Sequence, residues 1–131
     1  MADYLARTRS NPFRVKDTDR FALWLHDAAG NALKAIVHDD DQRLVHFEGF
    51  TSIPSTNEEG EEISFFSELA EHLAEDEIAI VFEIGSELLR YLVGTATAIA
   101  PTGETTTLDL NEIYRQAQDE FMGLNPIREA W

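Results

Sequence analysis

Residues 17–50 read DTDRFALWLHDAAGNALKAIVHDDDQRLVHFEGF, and this stretch decides the fold class. Asp17 or Thr18 caps a helix whose apolar positions Phe21, Trp24, Leu25 and Ala28 follow the spacing of one helix face, and Gly30 stands where that helix stops. Two β-type runs follow, Ala32 to His38 and Leu44 to Phe50. They are joined by Asp39, Asp40, Asp41 and Gln42, polar residues suited to a hairpin loop. A helix leading directly into an antiparallel hairpin belongs to the α+β class.

Upstream, Tyr4 to Val15 reads as extended chain with Phe13 and Val15 on one side, because the Asn11-Pro12 step disfavours helix just before the proline. Downstream, Thr51 to Glu62 contains Pro54, Ser55, Asn57 and Gly60 without periodicity and reads as a loop long enough to move. Ile63 to Glu75 is predicted helical, with Phe66, Leu69, Ala70 and Leu73 buried and Ser64, Glu68, Glu71 and Glu75 on the wet side. Strands are expected at Ile78 to Ile84 and Leu89 to Ala100, with Gly85-Ser86 turning between them and Gly94 as a bulge.

Pro101-Thr102-Gly103 turns into a short strand at Thr105 to Leu108. A last helix, capped by Asp109 or Asn111, places Leu110, Ile113, Tyr114, Ala117 and Phe121 inward and ends near Gly123 and Pro126. The order β-α-β-β-α-β-β-β-α begins as a ferredoxin-like layer, an antiparallel sheet with helices on one face, followed by a hairpin and a helix. All 131 residues fit one domain, and no internal repeat interrupts it.

Charge is the informative part of the composition. The chain carries 25 acidic and 10 basic residues, a net of −15, which disfavours direct contact with nucleic acid or an anionic membrane. The imbalance is concentrated at residues 35–89, where 15 acids meet one cation, Arg43. Cysteine is absent, which fits the cytoplasm and removes disulfides and thiolate chemistry. No run of apolar residues is long enough to be a secretory signal or a membrane span.

Enzyme motifs are missing. There is no glycine-rich phosphate loop and no nucleophile elbow. His26, His38, His46 and His72 show no zinc spacing. Closing the hairpin at residues 39–42 sets His38 opposite Arg43 and His46 opposite Ala35, so no histidine pair is expected. Asp39, Asp40 and Asp41 lack the alternation, glycine and distal glutamate of a calcium loop and read as a solvated hairpin tip. The expectation is a protein without catalytic residues, metal or cofactor.

The acids have a sharper reading. Glu68, Glu71 and Glu75 stand three and four apart on one helix face, where side chains are roughly 5–6 Å apart and can imitate a phosphate backbone. Glu58, Glu59, Glu61 and Glu62 before the helix, Asp76 and Glu77 after it, and Asp39, Asp40 and Asp41 at the hairpin extend the candidate partner-binding set. A basic protein surface would be drawn to such a face with salt-sensitive affinity. The bland reading is that the acids confer solubility. Arg7, Arg9, Arg14 and Lys16 give the N-terminal strand the opposite sign, guarding an edge or forming a contact between protomers. Trp131 covers an apolar patch, docks on a second subunit or lies in water.

The opening Ala6-Arg7-Thr8-Arg9-Ser10-Asn11-Pro12-Phe13-Arg14-Val15-Lys16-Asp17 resembles the start of a group of small acidic proteins encoded on bacterial plasmids, phages and integrated elements. Gly85 to Tyr114, with Leu89-Arg90-Tyr91 and Thr102-Gly103-Glu104, is similar to the same group. The resemblance implies a mobile-element context, in which small acidic proteins include inhibitors of restriction and CRISPR complexes that occupy nucleic-acid channels. It brings no catalytic residue with it. The resulting expectation is a non-enzymatic, nucleic-acid-mimicking binding protein aimed at a defence complex. The alternatives are a homo-oligomeric (for instance homodimeric) structural or accessory protein and a small enzyme without a recognisable motif.

Overall fold

A computed structural model describes residues 4–38, 41–87 and 91–128. In chain order the elements are β1 (Tyr4–Ser10), β2 (Phe13–Arg14), α1 (Thr18–Ala29), β3 (Lys34–His38), β4 (Asp41–Gly49), α2 (Phe65–His72), β5 (Ala79–Glu87), β6 (Tyr91–Ile99), β7 (Thr105–Asp109) and α3 (Glu112–Glu120). The protein is α+β, and its described residues form one curled antiparallel sheet and three helices. Among the described residues no helix is long and apolar enough to cross a membrane.

Among the described residues the sheet has seven strands and curls into a half-barrel, rather than the ferredoxin-like layer with an added hairpin, six strands in all, that the sequence predicts. β4 pairs with β3 on one edge and with both β2 and β1 on the other, and the sheet continues through β5 and β6 to β7. Pro12 has no N–H to give, and the extended chain breaks there into β1 and β2. Asn11 spans the break: its backbone N–H donates to the Ile80 carbonyl at 2.9 Å and its Oδ1 accepts from Ile80 N–H at 2.8 Å.

Strand alternation gives the sheet two faces. α1 and α2 cover the inner face, and the core between them holds Phe13, Phe21, Leu25, Val45, Phe47, Phe65, Leu69, Val81 and Ile99. α1 starts as its sequence dictates, with the Asp17 carboxylate accepting the Arg20 N–H at 3.1 Å, and stops at Gly30, where φ is 58°. That left-handed backbone favours glycine. Among the described residues no buried side-chain nitrogen or oxygen lacks a partner.

Four further expectations, about single elements, are corrected. α2 ends at His72 rather than Glu75 because the following chain bonds to the segment before α1: Val15 bridges Leu73, Lys16 N–H donates to the His72 carbonyl and Ala74 N–H to the Arg14 carbonyl. Gly85-Ser86 is not a turn; β5 runs to Glu87, with Gly85 opposite Ala6 on one side and Val93 on the other. Gly94 is not bulged, since it pairs in register with Ile84, and the space a Cβ would fill is taken by the Leu110 side chain. α3 buries none of its residues, because it follows the edge strand β7, beyond the helices that close the core.

Candidate functional site

The acidic segment after β4 is a built turn. Asn57 Oδ1 accepts the backbone N–H of Glu59 at 3.0 Å and of Glu61 at 2.9 Å. Asn57 N–H donates to the Glu61 carbonyl, and Gly60 N–H to the Asn57 carbonyl. Gly60 supplies the positive φ of 85° that closes the turn, and Thr56 bridges Glu62. An Asn side chain that mimics a backbone turn in this way fixes the chain locally. Glu58 N–H donates to the Asp27 carbonyl near the end of α1, so the turn is anchored to the helical layer. Glu58, Glu59, Glu61 and Glu62 are exposed; among the described residues, none of the ion pairs involves them.

The acids on and after α2 have a different setting. Glu68 is half-buried and accepts the Trp24 indole N–H at 2.8 Å, a charge-assisted bond that ties α2 to α1. Glu71 is exposed. Glu75 and Asp76 are exposed beyond the end of the helix, Asp76 with φ 65°, so Glu75 does not continue the helical spacing of Glu68 and Glu71. Glu77 is half-buried and accepts Arg14 N–H at 2.7 Å. Asp39, Asp40 and the side chain of Asp41 lie outside the described residues, as does Trp131.

His72 shows that the fold brings cations to α2. It stacks against Trp24 with ring centroids 5.1 Å apart. Burial, with Arg20 and Lys16 acting the same way and Glu71 and Glu68 opposing, holds it below the ordinary histidine value of 6.5. Below that value the unfolded chain takes up this proton before the folded one, so the contribution of neutral His72 is fully present above pH 6.5 and is lost as the pH falls. Wild-type protein is therefore expected to lose more of its urea midpoint between about pH 7 and about pH 5 than a His72→Gln variant, in parallel melts followed by circular dichroism.

A second constellation lies on the outer face, and it corrects the expectation that no histidines pair. The register shifts between Val37 and His38, placing Ile36 opposite His46 and His38 opposite Asp41. His38 Nε2 lies 3.0 Å from His46 Nδ1, and His46 Nε2 lies 2.8 Å from Glu48 Oε1. Arg9 from β1 pairs with Glu48 at 3.6 Å. The hydrogen bond from His46, helped by Arg9, holds the Glu48 carboxyl below its usual range against a desolvation that works the other way. The alternation of His46 and Glu48 on β4 was readable; the irregular register that brings His38 to them was not.

Beside this chain the outer face turns apolar. Phe50, Phe82, Ile84, Leu92, Leu108 and Leu110 are all exposed there, Phe50 at 85%. A shallow groove of about 330 Å³ runs between Phe50, Phe82 and Ile84, with Arg7 and Arg9 at its rim; the Arg7 guanidinium sits 5.6 Å from the centre of the Phe50 ring. Ile113 on α3 and Phe121 just beyond its end are exposed as well.

The fold and these surfaces define an α+β protein with an ordered acidic turn on one side and an apolar sheet face on another. Comparison with protein-family models, with curated proteins and with solved structures finds no match.

Proposed function

We propose that this protein is a non-enzymatic acidic binding protein that docks on a basic protein surface, of the kind found on nucleic-acid-handling defence complexes. The observation that carries the reading is the Asn57-centred turn, which holds Glu58, Glu59, Glu61 and Glu62 exposed on a fixed backbone. Preorganised like charges raise the on-rate and the specificity for a complementary surface, and their loop entropy is spent in folding rather than in binding. Exposed Glu71 extends the surface, whereas Glu68 contributes chiefly by fixing Trp24. The phosphate-like centre is thus the turn rather than the helix.

The test is a pull-down from bacterial lysate at low and high salt, with eluted partners identified by mass. A nucleic-acid-binding complex retained at low salt and released at high salt supports the proposal. The triple variant Glu59→Lys, Glu62→Lys and Glu71→Lys should then reduce retention by at least about tenfold while the melt stays near wild type. Retention that is indifferent to both salt and charge reversal would refute it.

A second reading, a homo-oligomer, is favoured by one specific observation. The exposed apolar residues of the outer face and of α3 lie where a soluble monomer rarely leaves a contiguous patch. Sedimentation across a concentration series separates the two readings, since self-association would be weakened by Phe82→Glu and left intact by reversal of the acidic turn.

A further inference from the structure

The outer face brings two imidazole nitrogens together, although among the described residues no three possible metal ligands are gathered in one place. His38 Nε2 and His46 Nδ1 approach to 3.0 Å from neighbouring antiparallel strands. Imidazole nitrogens bind zinc at about 2.0–2.1 Å, so two of them on one ion stand about 2.9 Å apart at a right angle and about 3.3 Å apart at the tetrahedral angle. The observed separation is that of a hydrogen bond, so an ion on the His46 lone pair at that distance would push His38 Nε2 sideways by about 2 Å, a move open to the half-exposed His38 ring but not to the buried His46.

Glu48 supplies the other half of the argument. Its carboxylate accepts the Nε2 proton of His46 at 2.8 Å, which leaves Nδ1 as the nitrogen that carries the lone pair. A carboxylate behind a histidine is the common arrangement at metal centres, where it fixes the tautomer and raises ligand basicity. Arg9 holds the carboxylate from the next strand at 3.6 Å. His46 is buried at 7% exposure and cannot reorient freely, while His38 is half-exposed and open to solvent.

We infer that His38 and His46 form a two-imidazole site for a borderline divalent transition ion, with zinc as the reference case, supported from behind by Glu48. Without metal, His38 Nε2–H donates to His46 Nδ1. On binding, both nitrogens give their lone pairs to the ion and the His38 proton moves to its own Nδ1 through solvent. Both rings stay neutral, so no net proton is released from the pair. Water completes the coordination. Imidazole donors favour zinc, nickel and copper over magnesium and calcium, which separates this site from the diffuse attraction of hard cations to an acidic surface.

The experiment uses tag-free full-length protein titrated with zinc chloride by calorimetry, with magnesium chloride as the hard-cation control. Histidine ring resonances are followed by NMR as nickel is added. Zinc should bind one equivalent in a phase that magnesium does not compete. His38→Ala should weaken that phase at least tenfold, and Glu48→Gln should weaken it about tenfold while leaving both ligands in place. Nickel should broaden the His38 and His46 signals before those of His26 and His72, a readout that needs no variant to fold. Zinc binding unchanged in His38→Ala, or nickel broadening that begins at His26 or His72, would overturn the assignment and leave the pair as a structural hydrogen-bond chain.

Discussion

Phe21→Ala is expected to cost roughly 3–5 kcal/mol, the range for emptying an aromatic site in a packed core. Phe21 is fully buried. Its ring meets Phe13 edge-on at 5.8 Å and lies 6.4 Å from Phe47, 5.9 Å from Trp24 and 6.1 Å from His72. It is therefore the residue through which α1 grips the sheet and the end of α2 together. Neighbours drawn from two helices and two strands cannot all collapse into the gap, so most of the cavity persists. Against a total stability of about 5–15 kcal/mol for a domain, the variant should be close to unfolding at room temperature. Urea melts should show a much lower midpoint at an unchanged slope. Phe50→Ala, at a site 85% exposed, should stay within about 0.5 kcal/mol of wild type. Equal losses at the two positions would mean that α1 does not seat on the inner face.

Gly49→Ala is the second large effect, and its cause is close approach rather than φ. A Cβ at Gly49 would run into the backbone carbonyl oxygen of Ala32 and would stand 3.0 Å from Leu33 Cδ2. A carbonyl fixed by the chain cannot swing aside, so the end of β4 must separate from the segment that leads into β3. Overpacking of this kind costs typically 1–3 kcal/mol and occasionally more, and the upper part of that range is expected here. Gly94→Ala gives the comparison: its Cβ would stand 2.6 Å from Leu110 Cδ1, the end of a flexible and largely exposed side chain that can rotate away. Thermal melts should therefore rank Gly49→Ala well below Gly94→Ala. The reverse order would contradict the approach of Ala32 to β4.

Much of the secondary structure was legible because its signals are local. The Asp17 cap, the apolar spacing of Phe21, Leu25 and Ala28, and the stop at Gly30 lie within one segment, and α1 forms where they place it. The hairpin, the run into β5 and the last amphipathic helix were also readable. Boundaries failed where a distant partner intervened. Leu73 belongs by periodicity to α2, yet it leaves the helix to bridge Val15, a residue far away in sequence. Gly85-Ser86 has the composition of a turn, yet β1 and β6 hold it in the sheet from both sides.

The candidate sites divide along the same line. That residues 35–89 would be acidic was fixed by composition alone, since 15 acids against one base must give a negative segment in any fold. Which of those acids are free was decided by tertiary contacts: the Trp24 indole takes up Glu68, the Arg14 backbone takes up Glu77, and Asn57 sets Glu59 and Glu61 on a fixed turn. The histidine pair depends on register, and a single shift in a β-ladder changes which side chains face each other. By itself, then, the sequence determined the type of most elements, the charge and the absence of recognisable motifs, all of which follow from short-range periodicity and residue counts. Only the tertiary structure decided which face stays apolar, where the acids stand unpaired and that His38 reaches His46, because each depends on chain segments meeting across the sheet.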